Sequence, residues 1–300
     1  MSTEIKAFFD ERTYTMTYVV FDPETRDAVV IDPVLDYDPA SSKIWTESAD
    51  EVIAWIEREE LTLHAIMETH AHADHLSGSQ VFKQSFPEAR LAVGADITKV
   101  QSIFKGVFDL PEDFPTDGSQ FDALIEPGAT FTAGSLTFEA IPTPGHTPAC
   151  MTYLIADAAF TGDTLFMPDM GTGRCDFPGG SACALYDSVM RLYELPGDTV
   201  LYVGHDYQPG GRELKWAASV AEHREANVAL PASRSKEDFV AWREARDATL
   251  NAPKLLFQSV QVNVDAGALP KPSDNQVAYL KIPINVFRPA GGGDMEYDEV

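Results

Sequence analysis

Thr69-His70-Ala71-His72-Ala73-Asp74-His75 crowds three imidazoles and a carboxylate into the six positions from 70 to 75. The run follows Leu63 to Met67, an apolar stretch that reads as a strand. The order is therefore strand, loop, helix, with the helix beginning near His75. His70 and His72 stand two apart, so on an extended turn both rings point the same way. A His-x-His pair alone says little. Four ligand-type groups on one loop have few purely structural explanations, and imidazole with carboxylate is the donor set for divalent iron, zinc or manganese.

Three later motifs supply what one loop cannot. Pro144-Gly145-His146-Thr147, Thr161-Gly162-Asp163-Thr164 and Val203-Gly204-His205-Asp206 each place a ligand type directly after a glycine at the end of an apolar run. Glycine permits the close backbone approach that a buried metal needs. The shared context of strand, glycine and ligand predicts convergence at one end of a sheet. His64, in an alternating strand, and His223, among charged helix neighbours, read as ordinary core or surface histidines.

The remaining chain reads as a globular α/β protein. Three hundred residues suffice for a core without staples, and no apolar run approaches the ~18 residues of a membrane span. The net charge of −25 repels phosphate backbones, so a nucleic-acid partner is not expected. An anionic small substrate would need a local cation to receive it. Cys150, Cys175 and Cys183 are odd in number and unpatterned, which fits a reducing compartment. Met1 to Lys6 lacks the basic-then-apolar pattern of a signal peptide, so the cytoplasm is the expected location.

Strands are expected at Thr13 to Phe21, Ala28 to Ile31, Met151 to Phe160 and Thr199 to Val203, and a hairpin over Phe131 to Ile141 turning at Ala133-Gly134-Ser135. Ser48-Ala49-Asp50-Glu51 reads as a capping box opening a helix to about Glu59. Further helices are expected over Ser181 to Leu195, Arg212 to Val228 and Ser235 to Leu250, the last with its own capping box. Val260-Gln261-Val262 and Tyr279-Leu280-Lys281-Ile282 look strand-like, and Gly291 to Asp294 looks frayed. This divides the chain into a catalytic domain, 1–210, and helices with a tail, 211–300. The latter reads as an appendage packed on the domain or as an arm organising a homodimer.

In this order the motifs resemble the metallo-β-lactamase superfamily, whose fold is an αββα sandwich with a metal site at one edge. The resemblance runs from about Phe8 to Tyr207. Within the superfamily it is strongest to the glutathione persulfide dioxygenases, through Thr13 to Asp22, Val29 to Val34, Thr69 to Gly78, Pro144 to Pro148, Gly162-Asp163-Thr164, Gly173-Arg174-Cys175-Asp176-Phe177 and Gly204-His205-Asp206-Tyr207. That resemblance implies one Fe(II) per chain held by His70, His146 and Asp163. It implies oxidation of glutathione persulfide with O₂ and water to sulfite and glutathione. His72, Asp74, His75 and His205 would then line the site, the last three in catalytic roles, with Arg174 and Tyr207 binding substrate. Cys175 replaces a threonine usual in the family. The 163–174 loop, the stretch around Asp38 to Ser48 and the region after Gly210 depart from shorter members, which bears on substrate more than on metal.

Two other readings stay open. A dizinc hydrolase of thioesters such as S-acyl glutathione would use His70, His72, His146 and Asp163 for one Zn(II) and Asp74, His75 and His205 for the other, with Asp163 bridging. Zinc-bound water, acidified toward neutrality, would attack the thioester. A non-catalytic, metal-binding sulfur sensor would keep the fold alone, although no ligand position is lost. Arg174 reads equally as a structural brace, Tyr207 as a packing residue and Cys175 as a small buried side chain.

Overall fold

The computed structural model describes residues 3–284 and Val286. Two six-stranded sheets face each other. The first runs Glu4–Asp10, Thr15–Phe21, Asp27–Ile31, Thr62–Glu68, Arg90–Gly94, Ala123–Ile125 in spatial order. The second runs Thr130–Ala133, Leu136–Pro142, Met151–Ile155, Ala158–Gly162, Val200–Val203, Ala217–Ser219. Between them lie the inward side chains of both, among them Tyr18, Met67, Phe138, Tyr153 and Phe160. Each buried phenylalanine there contributes roughly 1.5–3 kcal/mol.

Each sheet is covered on its outer face. Helices Glu47–Arg58, Ser79–Ser85, Ile97–Val107 and Leu256–Asn263 share a core with the first sheet, and Ala182–Leu192 and Lys236–Asp247 share one with the second. The result is an αββα sandwich. Burial on both faces explains why Thr15–Phe21 is apolar or small without alternation: every residue in it is buried. No helix among the described residues is long and apolar enough to cross a membrane.

Several expected elements differ. The helix near residue 48 starts at Glu47 with Thr46 at its N-cap, because the Ser48 hydroxyl and N–H are taken by Asp36 at 2.7 and 2.9 Å. The helix after the histidine loop begins at Ser79, preceded by the short strand Leu76–Ser77. Met151 to Phe160 is two antiparallel strands turning at Ala156-Asp157, with Ala156 at φ +51°. Within Arg212 to Val228 only Val220–Ala226 is α-helical. Ala217–Ser219 pairs with Val200–Val203 instead, so the chain beyond Gly210 also supplies the sixth strand of the second sheet.

Val260-Gln261-Val262 is helical, since its β-branched residues face the core, 2% and 0% exposed. Tyr279 to Ile282 forms no strand, though the Gln261 side chain holds the main chain of Lys281 in both directions, at 2.9 and 3.0 Å. Gly291 to Asp294 lies outside the described residues.

Candidate metal centre

Four chain segments reach one edge of the sandwich. His70 follows strand Thr62–Glu68, His146 follows Leu136–Pro142, Asp163 follows Ala158–Gly162 and His205 follows Val200–Val203. Two glycines make this approach feasible. Gly162 sits at φ +48°, and a Cβ there would strike the Thr69 side chain. A Cβ on Gly173 would strike the Asp163 carbonyl. Any side chain at either position would push Asp163 away from the loop it faces.

The imidazoles share a polarity. His70 Nδ1 lies 3.0 Å from Thr69 Oγ1, which itself donates to Asp32 Oδ2 at 2.8 Å. His75 Nδ1 lies 3.1 Å from Leu76 O, His146 Nδ1 2.7 Å from Arg174 O and His205 Nδ1 3.2 Å from Tyr14 O. A carbonyl only accepts, so these three rings carry their proton on Nδ1 and expose an Nε2 lone pair. The tautomers follow from the partners.

Donor atoms of His70, His146 and Asp163 lie within 4.8 Å of one another, as do those of His72, Asp74 and His75. His205 Nε2 stands 3.1 Å from Asp74 Oδ2 and 3.3 Å from Asp163 Oδ1. His70, His75 and His205 Nε2, Asp74 Oδ2 and Asp163 Oδ1 are buried without a hydrogen-bond partner among the described residues. Such groups cost roughly 1–3 kcal/mol each when left unpaired. Their convergence is accounted for by a cation, and the nitrogen and oxygen donors fit a transition metal.

The electrostatics divide the rings. Burial, with His72 and His146 nearby, holds the His70 pKa well below the ordinary histidine value. Burial and His72 bring His75 down to about 4. Burial opposes the charged form of His205 too, but Asp74 and Asp163 outweigh it and raise the pKa. His72 is turned differently: its Nε2 lies 3.1 Å from Asp32 Oδ1 and 3.3 Å from Glu68 Oε2, both buried carboxylates. They overcome its burial and raise it well above the ordinary value.

A cavity of about 850 Å³ reaches Asp74, His146 and Asp163. Tyr207 lines it and stacks on His205, centroids 5.6 Å apart. Arg174 lines it too, but its guanidinium forks onto Asp176 with two bonds of 2.6 Å and donates to Asn251 O at 2.7 Å. Its side chain braces the cavity wall, and its carbonyl fixes His146.

The wall continues into a stretch packed directly against Thr172 to Cys175, to which sequence reading gave no site role. Trp242, Arg243 and Arg246, on helix Lys236–Asp247, and Lys254 beyond it all line the cavity, in a region that reads in sequence only as a packed appendage or a dimer arm. Asp32 and Glu68 were also missed, as buried acids carry no sequence signature. Cys175 is buried, with its thiol pKa raised by that burial. His64 pairs with Asp27 at 2.6 Å and His223 is buried, both away from the centre.

A profile of the Metallo-beta-lactamase superfamily matches residues 11–205. A probable metallo-hydrolase of Burkholderia pseudomallei is 47% identical over 94% of this chain and 99% of its own length. Some relatives are longer, and the chain spans 65% of one of them. The human mitochondrial persulfide dioxygenase ETHE1 is 33% identical, over 83% of this chain and 82% of that protein. The crystal structure of ETHE1 from Myxococcus xanthus superposes with a TM-score of 0.70 at 31% identity, covering 88% of this chain and 100% of that one.

Proposed function

The chain belongs to the metallo-β-lactamase superfamily, and from that premise we propose that it is a mononuclear iron persulfide dioxygenase acting on glutathione persulfide. One observation carries the reading. His70, His146 and Asp163 gather their donor atoms within 4.8 Å, and the cavity opens onto two of the three. Two histidines and one carboxylate leave coordination positions open, and ferrous iron so held supplies oxygen activation beside a substrate sulfur. Likeness to ETHE1 along most of both chains supports the same reading.

The protein's own groups prepare the rest. Thr69 Oγ1 and the Arg174 carbonyl hold the His70 and His146 rings. The Tyr14 carbonyl holds the His205 ring so that its Nε2 faces the same centre, 3.3 Å from Asp163 Oδ1. Arg12 and Arg174 are already paired with Asp36, Glu47 and Asp176, but Arg246 and Lys254, with no ion pair among the described residues, give the cavity wall positive charge on a chain of net −25, which suits a peptide thiol bearing carboxylates.

A dizinc thioester hydrolase is the second reading, favoured by the separate donor group His72, Asp74 and His75 and by the metallo-hydrolase name of the Burkholderia relative. Protein loaded with iron and, separately, with zinc distinguishes the two. The iron form is expected to consume O₂ with glutathione persulfide and the zinc form to leave S-acyl glutathione intact. Rapid thioester hydrolysis by the zinc form, with no oxygen uptake by the iron form, overturns the proposal.

A further inference from the structure

Residues 69–75, the heart of the histidine loop, belong to no helix or strand. The loop therefore takes its shape from side chains elsewhere. At one end Asp32 accepts from the Thr69 N–H at 2.7 Å and the Thr69 hydroxyl at 2.8 Å. At the other end stands Asn263, the last residue of helix Leu256–Asn263 and only 5% exposed. Its Nδ2 donates to His72 O and to His75 O, each at 2.8 Å, and its Oδ1 accepts from the Ser77 N–H at 2.8 Å.

An asparagine amide has two N–H donors and a carbonyl acceptor. Two backbone carbonyls on one side and one N–H on the other fit a single orientation of that amide. The helix end is itself held. Gln101 Nε2 donates to Val264 O at 2.9 Å and Gln80 Nε2 to Ala266 O at 2.7 Å.

We infer that Asn263 is a positioning residue of the metal centre: its carboxamide fixes the peptide groups of His72 and His75 and so holds the one loop that carries both His70, a ligand of the single-metal reading, and His72, Asp74 and His75, the second donor group. This rests on the site binding a metal and not on the reaction proposed for it. Without the amide, two carbonyls and one N–H would be buried unpaired, in a stretch with no regular hydrogen bonding to hold it. The loop would then relax at the cost of ligand geometry.

Two variants of the full chain test this. Asn263→Asp keeps the volume but replaces both donors with a carboxylate oxygen facing two carbonyls, and Asn263→Ala removes all three bonds. Metal-free protein is titrated with cobalt(II) against a chelator, recording affinity and visible spectrum. Both variants should lose about 10–100-fold in affinity, the range for groups that orient ligands, with a shifted cobalt spectrum. Unchanged affinity and spectrum overturn the inference. So does a loss in Asn263→Ala that Asn263→Asp restores, since that marks packing alone.

Should neither variant fold, hydrogen exchange at the Ser77 amide of the unaltered metal-free protein decides. Slow exchange supports the lock, and rapid exchange overturns it. Unaltered protein that takes up no cobalt overturns the metal centre itself, whereas a failed oxygen-uptake assay leaves all of these readouts standing.

Discussion

His75, His146 and His205 each give Nδ1 to a backbone carbonyl and keep Nε2 for the centre. The sequence motifs identify these residues as donors, because the crowding of ligand types is a chemical signal. They do not say which nitrogen points inward: the carbonyls that fix His146 and His205 come from Arg174 and Tyr14, 28 and 191 residues away, and His75 alone is fixed by its neighbour Leu76. His72 shows the same limit: nothing in His-x-His marks its turn toward Asp32 and Glu68. A contrast between two variants follows. Asp163→Ala should lose most bound iron while the fold persists, because it removes both a donor and a compensating charge. His205→Ala should retain about one iron per chain and lose ~10–100-fold in turnover, as expected of a group that orients ligands. Metal analysis of both variants checks this. Two metals in the unaltered protein falling to one in His205→Ala would favour the dinuclear reading.

At the scale of elements, the sequence was most legible where local chemistry and tertiary packing agree. The strand Thr62–Glu68, the hairpin around Gly134-Ser135 and the Ser235 cap, whose hydroxyl accepts from the Asp238 N–H at 3.1 Å, all follow from their own residues. It misled where packing overrode pattern. Val260 and Val262 favour strands locally but are buried on a helix, and Ala217 and Ala218 favour a helix but complete a sheet edge. The capping box read at Ser48 occurs instead at Ser219, where the Glu222 N–H donates to Ser219 Oγ at 3.2 Å and Glu222 Oε2 accepts from the Ser219 N–H at 2.7 Å. Ser219→Ala should therefore destabilise the protein by about 0.5–2 kcal/mol. The check is a lower denaturation midpoint in urea, with metal content unchanged.

For the whole molecule, the two sheets are also joined at the strand ends remote from the metal loop. Asp27 of the first sheet pairs with His64 at 2.6 Å and accepts from the Ser135 N–H, on a hairpin of the second, at 2.7 Å. Burial raises the Asp27 pKa, but these hydrogen bonds outweigh it and hold it below its ordinary 3.8. A depressed carboxylate stabilises the fold above its unfolded value and ceases to as pH falls through its folded one. Asp27→Asn should accordingly flatten the fall in melting temperature below about pH 4, and an unaltered acid limb would count against the link. The amide of Asn263 has a consequence of another kind, in the timing of synthesis. It bonds to a carbonyl 191 residues earlier in the chain. At about 5–20 residues per second, His72 leaves the ribosome roughly 10–40 s before its partner does. Through that interval the loop has its two flanks pinned, at Thr69 by Asp32 and at Leu76–Ser77 by Val34–Leu35, but the His72 and His75 carbonyls lack their donor, so a finished metal site is a late event in the life of each nascent chain.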